Sequence, residues 1–211
     1  MHSREIPGWE TLLAQPPLLL HRQCLEPAHA DRLLECLEHD LPWQRPELTL
    51  YGRRHPIPRS QVWMGDPEAG YRYSQRDFQP EPWHPAVREL RDRIQTLVVE
   101  HDASARFNSV LLNRYVDGEQ RMGWHSDDEP ELGETPLVAA VSLGAERPLR
   151  FRHRHGPRRA FNVWLPHASL LVMGRGCQQA LQHALLPRAI PGIRISLTFR
   201  QVHGGAPQIS T

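Results

Sequence analysis

The chain contains no lysine: all 25 basic side chains among its 211 residues are arginine. Codon usage in a GC-rich genome accounts for most of such a bias, so the placement of the arginines carries more information than their number. Cysteine is scarce, and the three present (Cys24, Cys36 and Cys177) are odd in number and scattered. That excludes a disulfide framework and fits reduced thiols packed as small core residues. No apolar run approaches the roughly 18 residues of a membrane-spanning helix, so no membrane partner is expected. Met1-His2-Ser3-Arg4-Glu5 has no charged start leading into an apolar core, hence no secretory signal, and a cytoplasmic location is expected. A net charge of +1 gives no overall field for a polyanion.

What is present is ordinary for a globular protein, with 39% hydrophobic and 23% charged residues. The length suits one domain over 1–211, expected to act as a monomer. Arginine is unevenly spread. Residues 147–159 hold six Arg and two His with no acid, and Arg53, Arg54 and Arg59 form a smaller group. A local basic stripe on a near-neutral chain can track a phosphate backbone, or be a solvated hairpin.

Along the chain, residues 1–16 read as a polar, irregular arm, and Leu18-Leu19-Leu20 as a short strand. Pro27 can open a helix, with Leu33, Leu34, Leu37 and Leu41 at helical spacing until Pro42 ends it. Residues 42–83 are rich in Pro, Arg and aromatics without a sustained period, which suggests short hairpins or a lid. Residues 84–101 read as a second helix, with Val87, Leu90, Ile94, Leu97 and Val98 on one face. From 107 the pattern becomes short strands (107–115, 137–143, 149–153, 161–165, 170–173 and 192–202) separated by glycine-bearing turns. The expected fold is α+β and mainly β. Its core is a jelly roll over 107–203, and 1–106 supplies two helices covering one sheet and a lid.

Chemistry concentrates around residues 113–129. His125 and Asp127 are two apart, which on an extended strand puts both side chains on one face, about 7 Å apart. With a second imidazole they form the facial triad of non-haem Fe(II) oxygenases. His29 and Asp31 repeat the motif by chance, but they fall on the first helix, where residues two apart diverge by about 200°. The third ligand belongs on a late strand. His183 leads there, ahead of His167, His153, His155 and His203. In Arg194-Ile195-Ser196-Leu197-Thr198-Phe199-Arg200, alternation puts Arg194, Ser196, Thr198 and Arg200 on one face. That face is either solvent-exposed or lines a cavity for a dianion, which guanidinium forks suit. Asn113 and Tyr115 are likewise on one face of their strand.

Taken together, Asn-x-Tyr at 113, Trp-His-Ser-Asp-Asp-Glu-Pro-Glu-Leu-Gly from 124, Val-Ser-Leu-Gly-Ala-Glu-Arg from 141, Ser-Leu-Leu-Val-Met from 169, Gln-His at 182 and Arg-Ile-Ser-Leu-Thr-Phe-Arg from 194 closely resemble the AlkB family of Fe(II)- and 2-oxoglutarate-dependent dioxygenases. The resemblance is strong over 107–202, follows the DNA-repair subgroup, and is traceable over 48–75. It implies a double-stranded β-helix. It also implies O2-dependent removal of alkyl groups from bases in DNA or RNA, releasing formaldehyde, succinate and CO2. It assigns iron to His125, Asp127 and His183, the catalytic centre, and 2-oxoglutarate to Asn113, Tyr115, Arg194, Thr198 and Arg200. It assigns the substrate to Asp128 and Glu129 and to a nucleotide-recognition lid with Tyr51, Gly52, Arg53, Tyr71, Arg72 and Tyr73. Within that set Tyr73 would stack on the base opposite His125, and Tyr51 sits at the base-flipping finger. The chain departs from the family at Leu181, where a Trp is common, and at Gly174-Arg175-Gly176-Cys177. The alternatives are a 2-oxoglutarate hydroxylase or demethylase of protein, lipid or RNA, and a module that binds damaged bases without repairing them.

Overall fold

The computed structural model describes residues 8–50, 52–73, 76–156 and 159–203, with backbone alone at 48–50, 71–73 and 76–78. An N-terminal hairpin of β1 (Trp9–Leu13) and β2 (Leu18–His21) leads into α1 (Pro27–Asp40). Two hairpins, β3 (Glu47–Leu50) with β4 (Arg53–Pro56) and β6 (Tyr71–Tyr73) with β7 (Arg76–Phe78), flank β5 (Ser60–Gly65). After α2 (Pro85–Val99) come β8 (Ser109–Tyr115), β9 (Met122–His125), β10 (Val138–Gly144), β11 (Arg147–His153), β12 (Ala160–Leu165) and β13 (Ser169–Met173). A short α3 (Cys177–Ala180), β14 (Leu181–Leu185) and β15 (Arg194–Arg200) complete the fold.

The strands after residue 107 form two facing antiparallel sheets. β13-β10-β15-β8 form the centre of a seven-stranded sheet extended by β1-β2 at one edge and β5 at the other. β12-β11-β14-β9 form the opposing four-stranded sheet. This is the expected double-stranded β-helix, a jelly roll. Strand alternation makes the large sheet two-faced. Val110, Leu112, Ile195, Leu197 and Phe199 point outward into a core completed by Leu33 and Leu37 of α1 and Val87, Leu90, Ile94 and Val98 of α2. Both helices begin with Pro at the first turn, where its missing N–H costs nothing. Arg114, on the same outer face, is tied to Glu38 of α1 at 3.0 Å. The inner face of the large sheet packs Leu20, Val138 and Leu171 against Phe151, Val163 and Leu165 of the small sheet.

Three expectations need correction. Residues 1–16 are not wholly an irregular arm, because Thr11 and its neighbours pair with β2 and so join the large sheet. The 42–83 segment holds its hairpins, but it also contributes β5, whose Val62 and Met64 are core residues. Arg147 is not part of a surface stripe. It is 1% exposed, and its guanidinium donates to the carbonyls of Asp117, Gln120, Gly118 and Leu186 at 3.2, 2.9, 3.2 and 2.9 Å. Glycine is required at 118 because a Cβ there would meet the Arg188 carbonyl at 1.9 Å. Arg147 therefore ties together the loops that follow β8 and β14. Arg147→Met keeps the stem and strands four acceptors, so unfolding in urea should show a stability loss of about 3 kcal/mol. A loss below about 1 kcal/mol would mean that the loops hold without it.

Candidate active site

Register brings the inward polar residues together. Arg194 lies across from Tyr115 and Ser196 across from Asn113, while Ser196 also pairs with Ser142 on β10. The result is a polar patch inside an apolar sandwich, lining a cavity of about 50 Å³ that also touches Thr198, Arg200, His125, Asp127 and His183. The exposed-face alternative for β15 is thereby excluded, since Arg194 is 3% exposed.

His125 and His183 are cross-strand partners on β9 and β14, with rings 4.2 Å apart. A bulge at the next pair lets Met122 and His125 both face the cavity. Asp127 is not on the strand: β9 ends at His125, and the carboxylate is carried by the loop beyond it. That loop is pinned by Ser126 Oγ donating to the Leu181 carbonyl and by the Asp127 amide donating to Gln178 Oε1, both at 2.9 Å. Ligand atoms of His125, Asp127 and His183 all lie within 4.8 Å of one another. Of the other candidate histidines, His167 accepts the Gly144 amide, and His153, His155 and His203 are exposed.

The electrostatics suit a cation at this point. Burial alone would raise the Asp127 carboxyl, but the charge of Arg200, 2.6 Å away, with both imidazoles, outweighs it and holds the group below the usual carboxylate range. Burial pushes His183 down to about 4, so it is a neutral ligand at neutral pH. His125 Nδ1 meets the Gly123 carbonyl at 2.8 Å, which leaves Nε2 as its lone-pair nitrogen. Asp127 Oδ2 is buried with no hydrogen-bond partner among the described residues. Two imidazoles, one carboxylate and an orphaned oxygen fit Fe(II) with open positions. At the far end, burial lowers Arg194 to about 10, still charged at neutral pH, and raises the Tyr115 phenol, which is hydrogen-bonded to Ser196. Arg194 donates to Ser142 Oγ at 2.8 Å, and its Nε is buried with no hydrogen-bond partner among the described residues.

A second cavity of about 330 Å³ shares Arg200 and is lined by Gln61, Trp63, Glu129 and Glu131. Asp128 is not free beside it, because Arg154 Nη1 binds its Oδ2 at 2.5 Å. Gly52 forms the turn of the β3–β4 hairpin with φ +74°, and Arg53 on β4 is exposed. Tyr71, Arg72 and Tyr73 lie on β6, their side chains outside the described residues, as is Tyr51 altogether. Sequence reasoning missed Arg59, whose Nε donates to Asn113 Oδ1 at 2.7 Å, and Gln178, a buried residue with no periodic or motif signal. Gln61 was legible only through its register with Asn113.

The fold and this site define a non-haem iron oxygenase. A family model described as the 2OG-Fe(II) oxygenase superfamily matches residues 17–200, and the chain belongs to that superfamily. Similar proteins include human alpha-ketoglutarate-dependent dioxygenase alkB homolog 3, 34% identical over 210 residues, spanning 90% of this chain and 71% of that protein. DNA oxidative demethylase ALKBH2 of Mus musculus is 33% identical over 207 residues, spanning 93% and 84%, and the human ALKBH2 is 32% identical. Within the superfamily the chain is a member of the AlkB family. Among solved structures, OsALKBH1 superposes with TM-score 0.55 at 20% identity over 94% of this chain and all of that one. An oxidoreductase of the 2OG-Fe(II) oxygenase family from Burkholderia pseudomallei gives 0.57 at 15% identity, over 95% of this chain and 88% of that one, a likeness of fold.

Gln178 supplies the acceptor that orients Asp127. In Gln178→Leu, Mn(II) affinity should fall about tenfold with the far-UV spectrum unchanged. Unchanged affinity would show that the loop orients Asp127 without Gln178.

Proposed function

We propose that this enzyme oxidatively demethylates N-alkylated bases in DNA or RNA, converting 2-oxoglutarate and O2 to succinate and CO2 and releasing the methyl carbon as formaldehyde. The observation that carries the reading is a facial His-Asp-His group with an orphaned carboxylate oxygen, set between a buried arginine cradle and an acid-lined cavity.

His125, Asp127 and His183 would hold the iron, which with its cosubstrate supplies the oxidising power for attack on an N-methyl group. Arg194 would receive the distal carboxylate of 2-oxoglutarate, with Tyr115 beside it and Ser142 holding the guanidinium in place. Asn113, Thr198 and Arg200 would seat the other end, Arg200 meanwhile holding Asp127. Arg59 would fix the Asn113 amide. Burial of these groups keeps water from the reaction.

A base inside a duplex cannot reach this site and would have to flip out, at a few kcal/mol and less for a damaged pair. Glu129 and Glu131, joined by Asp128 on its leaving Arg154, would favour a methylated, cationic base through charge. Tyr73, on the β6–β7 hairpin, would stack on it opposite His125, with cation–π attraction. Of the lid residues, Tyr51 would enter the gap left by the flipped base, and Gly52, Arg53, Tyr71 and Arg72 would meet the nucleic acid around it. Of the arginine-rich run, His153, His155 and Arg159 are exposed and would be the phosphate contacts, since Arg154 is held by Asp128.

The test is incubation with Fe(II), 2-oxoglutarate and methylated single- and double-stranded oligonucleotides, following succinate and base mass. Base demethylation matched by succinate is expected, and loss of both in folded Asp127→Ala and His183→Ala proteins. Succinate without base repair would move the substrate to protein or lipid. Base binding without succinate would leave a recognition module.

A further inference from the structure

Cys36 is the cysteine that does not fit the core. Cys24 and Cys177 are buried, whereas Cys36 is partly exposed and donates its thiol proton to Asp40 Oδ2 at 3.2 Å. The same carboxylate oxygen lies 3.8 Å from His84 Nε2. Ligand atoms of Cys36, Asp40 and His84 all lie within 4.8 Å of one another. Cys36 and Asp40 are four apart on the last turns of α1 and so share one face. His84 immediately precedes α2 and makes no capping bond with its side chain. The arrangement is anchored, because the Trp43 indole donates to the Leu37 and Glu38 carbonyls at the end of α1.

We propose that Cys36, Asp40 and His84 form a second metal site, suited to Zn(II), that clamps the end of α1 to the start of α2. Sulfur, carboxylate oxygen and imidazole nitrogen are the zinc donor set, and with Asp40 half-exposed the fourth tetrahedral position is open to water. The sulfur separates this site from the His125-Asp127-His183 group, which has none and suits iron. Helix dipoles decide little: the carbonyl end of α1 favours a cation, the amide end of α2 opposes it, and each effect is at most about 1 kcal/mol. Burial and the neighbouring Asp40 carboxylate keep the Cys36 thiol protonated in the metal-free protein. Binding therefore replaces S–H by S–Zn and releases one proton to solvent, while Asp40 exchanges the thiol for the metal.

The consequence follows from chain order. Everything between the two anchor points is the 41–83 segment, which carries both hairpins and β5. A clamp at its two roots closes that loop and removes unfolded-state freedom, stabilising the part of the fold that presents the recognition hairpins. No step of the oxidation depends on it.

Co(II) is the probe for the test, since a cobalt–thiolate bond gives a near-ultraviolet charge-transfer band that a His-Asp-His site cannot. The Asp127→Ala/His183→Ala protein should bind one equivalent with this band, Zn(II) should displace it, and Zn(II) should raise its thermal midpoint. All three responses should vanish on adding Cys36→Ser or His84→Ala. In the otherwise unaltered chain two equivalents should bind. Cys36→Ser should lose only the banded one and leave demethylation unchanged. Absence of the band, or its persistence after Cys36→Ser, overturns the assignment.

Discussion

An ion pair between Arg200 and Asp127, 2.6 Å long with the carboxylate almost wholly buried, joins the two sheets at the centre of an apolar sandwich. Arg200 belongs to β15 of the large sheet, and Asp127 to the loop that leaves the small one. Taking both charges out of water costs several kcal/mol, recovered only if each remaining polar atom finds a partner. Here that condition is half met. Asp127 Oδ1 has its guanidinium; among the described residues, Asp127 Oδ2 and the Nε atoms of Arg194 and Arg200 have no hydrogen-bond partner. A site built this way is under-satisfied by itself and is completed by a cation at one end and an anion at the other.

Much of this was legible because strand period is unforgiving. One residue of slip would turn Arg194, Ser196, Thr198 and Arg200 outward, so their alternation with Ile195, Leu197 and Phe199 fixes which residues share a face. The same parity aligned Asn113 with Tyr115, and the two proline-led helices announced themselves by period. The decoy at His29 and Asp31 failed on the same argument, now on a helix.

What was not legible came from contacts between segments distant in sequence. Arg147 belongs by composition to the basic run, yet four backbone carbonyls from two loops surround it. Gln178 and Arg59 act through single hydrogen bonds to Asp127 and Asn113, which no periodicity encodes. Asp127 shares the cavity with His125 through a loop rather than through strand alternation, so the pair is brought together by a different local geometry from the one expected. β5 carries core residues in a segment whose prolines and arginines mask its alternation.

The charge balance of the cavity gives the account its sharpest consequence. Two guanidiniums, Arg194 and Arg200, face one carboxylate, Asp127. A dication alone adds to that excess, whereas a dication with the dianion 2-oxoglutarate leaves it unchanged. Binding of the two must therefore be coupled. The decisive measurement is Mn(II) affinity with and without saturating 2-oxoglutarate under anaerobic conditions, in the natural chain and in Arg194→Met. 2-Oxoglutarate should tighten Mn(II) at least about fivefold, and Arg194→Met should abolish the gain. Equal Mn(II) affinity with and without 2-oxoglutarate would contradict this coupling.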